Sequence, residues 1–444
     1  MQRAALIRLW LLAAGIVALT VAAAYAMQAA GDNPFMVLAL ASGLLALAST
    51  RVAEQAETRK ALWLIIGVAV LLRGILLALD PLLSSDIYRY VWDGKVQAAG
   101  INPYRYFPNN EALIALRDSA IYPNINRADA AVTIYPPVAQ MFFFLVTRLG
   151  ENITTMKLAL VACESGIAFA ILAFLRRLGR PPTRLVAYAW HPLPAWEIAN
   201  NGHVDALMVM LMMLGLWFAL TGRPLRGAAA ITLGALAKPF ALLALPAAWR
   251  PWDWKVPALV LAAVVLCYLP YLSVGSGVFG YFTTGYIQEE SLDTGSAFWI
   301  VTVWRTLFGI TRADVVVYLA AAAIVLVAFG IVAAMREPRS IATGLADINR
   351  LLLVFLLLLS PNYPWYFLMV TPFVALRGGA PNWTMSLGAI LLQNEVDWDH
   401  YVPYMVRETI LYGAFLAACG YAAWRARQKD SIQGGRGDDL TDAR

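Results

Sequence analysis

Apolar runs near the length of a bilayer crossing recur along the whole chain, joined by short loops, and that recurrence leaves few folds open. A helix needs about 20 apolar residues to span hydrocarbon. No water reaches that layer, so every backbone group must be paired internally, and only helices or a closed barrel qualify. The period-two alternation of a barrel is absent. Hydrophobic residues make up 60% of the 444 and charged ones 14%, with a mean hydropathy of +0.63, outside the range of a water-soluble domain. The expectation is an all-α polytopic membrane protein with about 12 spans.

The net charge of +6 is not the footprint of a nucleic-acid partner, because the basic residues sit in short loops at 51–60, 176–184, 223–226, 250–255, 336–339 and 425–429. Such loops mark the cytoplasmic side. Cys163, Cys267 and Cys419 lie singly inside apolar runs, which suits packing and gives no disulfide framework. Ala24-Tyr25-Ala26 looks like a signal-peptidase site, yet the run before it exceeds a signal h-region, so the first helix is expected to be retained.

From Arg3 and Arg8 in the cytoplasm, helices near 5–28, 34–51 and 60–79 deliver a polar insert, 80–135, to the outer face. Helices near 157–176 and 184–199 then return and go out, leaving 200–205 outside, and another comes back to Arg223. The stretch 227–249 has basic residues at both ends and Lys238-Pro239 in its middle. Proline breaks a helix, so two half-helices with Lys238 at the apex are expected. Beyond them come a helix near 256–274, a second outer insert at 275–312 containing Gln288 to Asp293, and a return near 313–335. The pairs 345–360 with 365–377, and 382–395 with 405–426, turn outside at 360–366 and 395–401. The chain reads as one domain, 1–426, in which 1–59 forms two extra N-terminal helices, followed by a disordered cytoplasmic tail at 427–444. No Walker or dinucleotide glycine motif is present, which argues against ATP or a soluble nucleotide-sugar donor.

Candidate chemistry concentrates in the first insert. Residues 86–99 suit a short helix with Ser84 or Ser85 as N-cap; Asp86, Tyr90, Asp93 and Gln97 then share a face, and Gly100 ends it. Asp86 reads either as a capping acid or as a general base at the lipid–water boundary. The apolar run after Tyr135-Pro136-Pro137 is too short for a span and suits an interfacial or re-entrant helix. His203 and Asp205 open an outer helix just after Glu197. They offer too few ligands for a metal and suit hydrogen bonding to a sugar or phosphate, or interhelical pairing. Lys238 suits a phosphate as a point charge or a buried pair with an acid. Tyr and Trp near loop edges read mostly as interfacial belt.

Asp86-Ile87-Tyr88-Arg89-Tyr90-Val91-Trp92-Asp93-Gly94, Gly100-Ile101-Asn102-Pro103-Tyr104 and Thr133-Ile134-Tyr135-Pro136-Pro137 resemble GT-C superfamily glycosyltransferases. Among these the chain looks most like bacterial polyprenyl-phosphate-mannose-dependent mannosyltransferases. Trp190-His191-Pro192-Leu193-Pro194 with Asn201-Gly202-His203-Val204-Asp205 is similar to the catalytic subunit of the first GPI mannosyltransferase. The resemblance implies a GT-C-like helical bundle with interfacial helices in its first outer loop. It implies sugar transfer, with inversion, from a polyprenyl-phosphate donor to a glycan or lipid acceptor on the outer face of a bacterial cytoplasmic membrane. Asp86 would be the catalytic base and Lys238 would bear on the donor phosphate. Tyr88, Arg89, Tyr90, Asp93, Tyr135, His203, Asp205 and Tyr363 would contact substrate. Asp86 stands alone, without the Asp-x-Asp pair of the family, which puts metal dependence in doubt: it is possible but not indicated, and no cofactor is assigned. The rival reading is a transporter or flippase of lipid-linked saccharides, which shares the spans and the broken helix.

Overall fold

The structure, a computed structural model, describes residues 2–279, 287, 292–309, 313–337, 340–393 and 401–438, and all of its regular structure is helical. Within the two outer turns expected at 275–312 and 395–401, positions 280–286, 288–291, 310–312 and 395–400 lie outside the described residues.

Among the described residues, seven helices are long and apolar enough to cross a membrane. They are α1 (Gln2–Ala30), α2 (Asp32–Gln55), α3 (Thr58–Leu77), α6 (Ile153–Arg177), α9 (Lys255–Tyr268, continued as 3-10 helix to Phe279), α11 (Ala313–Met335) and α12 (Ile341–Leu359). Between them lie shorter helices: α4 (Asp86–Ala98), α5 (Pro137–Thr147), α7 (Asp205–Leu220), α8 (Pro224–Ala235) and α10 (Trp299–Phe308). A 3-10 turn at Pro364–Val370 leads into α13 (Thr371–Leu376), followed by α14 (Ala380–Gly388) and α15 (Tyr401–Asp438). Seven long helices are fewer than the dozen spans expected, because several buried segments are short or broken.

The segment expected as one helix at 184–199 is the clearest departure. It runs as a 3-10 turn (Pro182–Leu185), an α turn (Val186–Ala189), a break at His191, and a π-helical stretch (Ala195–Asn200). Pro192 and Pro194 lack the N–H groups an α-helix would need. Backbone groups left unpaired inside the bundle are met by side chains: Arg73 of α3 donates to the carbonyl Ala189 O, and His191 Nδ1 accepts from the backbone Leu193 N–H at 3.1 Å. Arg73 is itself clamped by Glu164 of α6, its Nη2 2.5 Å from Oε1. At the C-terminus α15 is helical to Asp438. Once a helix is nucleated, each added residue gains a hydrogen bond for one residue fixed.

Two sets of contacts define the ends of the bundle. At one end Gly344 packs on Leu220, Arg250 pairs with Glu337, Arg336 pairs with Asp347 at 2.5 Å, and Arg184 Nε donates to Ala375 O at 3.1 Å. This end gathers the basic loops. At the other, Leu82 N and Leu83 N donate to the Oδ1 atoms of Asn200 and Asn201 at 3.0 and 3.1 Å, and Arg407 reaches Asn33.

The stretch around Lys238 folds between these ends as a hairpin. α8 runs back along α7 so closely that a Cβ on Gly227 would sit 2.8 Å from Gly215 O. Lys238 is extended (φ −150°, ψ 133°), and a 3-10 arm, Pro239–Ala247, returns towards Arg250. Both basic flanks of the hairpin therefore reach the same end of the bundle.

Candidate active site

α4 begins in a loop pinned to the bundle by Asn200 and Asn201. Ser84 Oγ accepts from Asp86 N at 3.3 Å, which starts the helix; Gly100, with φ of 76°, stops it. Gly202 (φ 70°) brings the 200–203 loop against α4, and a Cβ there would meet Ile87 Cδ1 at 2.4 Å. These constraints fix Asp86 at the wall of a cavity of about 120 Å³ at the end of the bundle remote from the basic loops. Its wall also includes Arg89, Asn126, Tyr135, Lys238, Tyr363 and Trp365.

Asp86 is held by neutral donors. Asn126 Nδ2 donates to Oδ1 at 2.8 Å, and the Tyr135 hydroxyl donates to Oδ2 at 3.2 Å. Burial, together with the facing Asp86 carboxylate, pushes the Tyr135 phenol well above its ordinary value, so it stays a donor. His203 Nδ1 lies 3.9 Å from Asp86 Oδ2. The imidazole is fully buried, with Nε2 3.2 Å from Glu197 Oε2. Glu197 is fully buried too, and it accepts from Asn201 Nδ2 at 3.1 Å and from Gln393 Nε2. Stacking completes the wall: Trp365 lies between His203 (centroids 4.2 Å apart) and Tyr363 (4.4 Å).

Across the cavity Lys238 pairs with Asp205 at 2.5 Å, and its ammonium sits 4.7 Å from the centre of the Tyr366 ring. An ammonium has three N–H donors, so pairing with Asp205 fixes it without exhausting it. The apex of the hairpin and the start of α7 thus meet as one charged pair, the pairing with an acid that was one of the two readings of Lys238.

The ten residues singled out from sequence divide by position. Asp86, Arg89, Tyr135, Lys238 and Tyr363 line the cavity, with His203 and Asp205 directly behind. Arg89 is committed inward, its Nε 2.9 Å from Asp93 Oδ1 and its Nη atoms on Ala131 O. Asp93 is buried and also accepts from Gln140 at 2.9 Å. Tyr90 stacks on Phe143 of α5 (centroids 4.5 Å) where Gly94 permits close approach, and neither Tyr88 nor Tyr90 is part of the cavity wall. Asn126, Glu197, Trp365 and Gln393 belong to the site's framework and were not among the ten. Asn126 and Gln393 lie in polar stretches with no motif of their own. A glutamate inside an apolar run was the one legible signal.

Among the described residues, no group of three His, Cys, Asp or Glu side chains converges as metal ligands do.

Fold and cavity together define a polytopic membrane protein with a charged, aromatic-walled site at one end of its helices. The profile of the alpha-(1->6)-mannopyranosyltransferase N-terminal domain matches residues 4–252, and the chain belongs to this family of bacterial GT-C-type mannosyltransferases. The matched region contains Asp86, Tyr135, Glu197, His203, Asp205 and Lys238. The chain is 26% identical over 318 residues to Alpha-(1->6)-mannopyranosyltransferase A of Mycobacterium tuberculosis, covering 65% of this chain and 60% of the relative. It is 27% identical over 208 residues to a "Probable alpha-(1->6)-mannopyranosyltransferase" of Mycolicibacterium smegmatis, covering 43% and 34%. The chain thus matches less than two thirds of the length of either relative. No solved structure matches it.

Proposed function

We propose that this protein is a hexosyltransferase that moves mannose from a polyprenyl-phosphate donor to a hydroxyl of a glycan or lipid acceptor, with inversion. The names of its relatives point to an alpha-(1->6) bond. The observation that carries the reading is the placement of Asp86: a carboxylate on the cavity wall, oriented by the neutral donors Asn126 and Tyr135, in a cavity that also presents Lys238.

In the transfer, the acceptor oxygen attacks the anomeric carbon and its proton passes to Asp86. The bond from that carbon to the phosphate oxygen breaks, and the electron pair leaves with the phosphate. General-base assistance of this kind contributes about 10²–10⁴ in rate. Lys238 lies in position to offset the charge gathering on the leaving phosphate, and Asp205 and Tyr366 keep its ammonium there. Tyr135 and His203 keep Asp86 in register for the acceptor. Side chains alone carry these steps.

The basic loops would face the cytoplasm, placing the cavity on the outer face of the cytoplasmic membrane. In that arrangement 182–200, 205–220, 364–376, 380–392 and α15 cross with the seven long helices, giving about 12 crossings besides the hairpin.

The test is turnover of labelled polyprenyl-phosphate mannose in proteoliposomes by wild type and Asp86→Asn. Label in a new product from wild type alone, with release of polyprenyl phosphate, supports the reading. Sugar that only changes sides would replace it with transport.

A further inference from the structure

At the basic end of the bundle, segments far apart in sequence bring arginines together. Arg180, just after α6, donates from Nη1 to Leu376 O, and Arg184 donates from Nε to Ala375 O at 3.1 Å. Both carbonyls belong to the last turn of α13. Gly378 (φ 65°) then turns the chain beside Arg184, where a Cβ would sit 3.3 Å from Nη2. Arg377, between those carbonyls and that turn, lies within electrostatic reach of Arg180 and of Arg350 on α12. Among the described residues, two carboxylates meet the group. Glu54 of α2 is 3.7 Å from Arg184, and Asp347 is shared by Arg336 at 2.5 Å and Arg350 at 3.1 Å. Among the same residues the Arg377 guanidinium makes no hydrogen bond or close ion pair. Partial burial, then the charges of Arg350 and Arg180, push it below its ordinary pKa, and Asp347 offsets them only in part. An arginine stays charged regardless, so an anion is what would relieve it.

We propose that this cluster binds the phosphate head group of an anionic phospholipid, in the leaflet at the basic end of the bundle. Charge and position carry the assignment. Arg180, Arg184, Arg336, Arg350 and Arg377 share two carboxylates, which leaves a surplus of positive charge. A guanidinium offers five N–H donors in a planar fork that matches a phosphate, and the carbonyls of α13 occupy few of them. The group lies where α6 and α13 end, at the height where hydrocarbon gives way to head groups. Basic pockets between helices at that height hold anionic head groups. Orientation of the chain in the membrane does not account for the cluster. That effect acts on each loop separately and asks for no convergence of Arg180, Arg350 and Arg377. Like charges also repel one another when brought together, so the gathering itself points to an anion. The site is at the opposite end of the bundle from Asp86 and does not depend on the mannosyl-transfer reading.

The full chain in detergent would be titrated with phosphatidylglycerol and, separately, phosphatidylcholine, and the bound lipid counted by native mass spectrometry. Wild type is expected to prefer phosphatidylglycerol by about tenfold or more, since each arginine near an anionic surface contributes about fivefold. Arg377→Gln breaks no hydrogen bond and should lower the preference about fivefold. Arg350→Gln with Arg377→Gln should remove most of it. Arg223→Gln with Arg226→Gln takes the same charge from an exposed loop at the same end and should leave the preference intact. Equal losses in the two double variants, or no preference in wild type, overturn the site and leave only diffuse attraction to the membrane. A wild-type preference that equimolar inorganic phosphate abolishes would give the arginines to a soluble anion and overturn the lipid assignment. Should the Arg350 and Arg377 double variant not be monodisperse, Arg377→Gln alone decides: a preference equal to that of wild type overturns the site.

Discussion

Two acids on one short helix meet opposite surroundings. Asp86 and Asp93 lie seven residues apart on α4 and so two turns apart on nearly the same face. Asp93 has a side chain only 2% exposed and is closed off by an ion pair with Arg89 and a hydrogen bond from Gln140. Asp86 is 19% exposed, receives only neutral donors and opens on a cavity. A buried carboxylate with its own cation is satisfied and has nothing left to give, and removing either partner strands a charge. A carboxyl group held only by an amide and a phenol is left open to an incoming group. The same residue type is sealed at one end of the helix and open to a cavity at the other.

The largest effect that would break this contrast is on activity. Asp86→Asn should cost about 10³-fold or more in transfer, within the range of a lost general base, with insertion and thermal unfolding in detergent unchanged. Equal losses of stability in the two variants would erase the distinction. Asp93→Asn should instead cost about 3–5 kcal/mol of stability by leaving Arg89 buried without its anion; the yield of monodisperse protein and its melting temperature would report it.

A middle-sized effect sharpens the contrast within the site. Tyr135→Phe removes one of the donors to Asp86, so kcat should fall about tenfold, the equivalent of one hydrogen bond to a charged group. KM for the donor should stay put, and an unchanged kcat would remove Tyr135 from the orientation of the base.

The smallest effect lies at the surface of the same helix. Lys95 pairs with Asp118 at 2.8 Å. Partial burial raises the Asp118 carboxyl, but hydrogen bonds from Lys95 and the backbone N–H groups of Ile121 and Ala120 outweigh it and hold it below its ordinary value. A depressed carboxyl stabilises the fold above its unfolded pKa, and that contribution is lost as pH falls through the folded one. Melting temperature measured from neutral pH down to about pH 3 should therefore drop slightly more for wild type than for Asp118→Asn, by less than about 1 kcal/mol in stability terms.

Much of this arrangement was legible because its signals are local. Hydropathy and loop charge located the long helices, Pro239 marked the break after Lys238, and Gly100 marked the end of α4. The short α5 followed from an apolar run too brief to span. The segment 182–200 was misread as a regular helix because its hydropathy is that of a span; its π and 3-10 pieces depend on Arg73 and on packing from neighbours far along the chain. Asn126, Trp365 and Gln393 were out of reach for a related reason. Their partners Asp86, His203 and Glu197 lie between 40 and 196 residues away, and no periodicity carries information over that distance.

By itself the sequence determined that this chain is a bundle of membrane helices, which end of it carries the basic loops, and that the insert after residue 80 brings acids to the opposite end. Those outcomes depend on transfer of short segments between water and hydrocarbon, a property each segment carries alone. Only the tertiary structure decided that Asp86 faces a cavity while Asp93 is sealed, that Lys238 meets Asp205, and that His203 lies between two acids. Those depend on which side chains reach one another when distant helices pack, and a carboxylate's role is set by the partners it is left with.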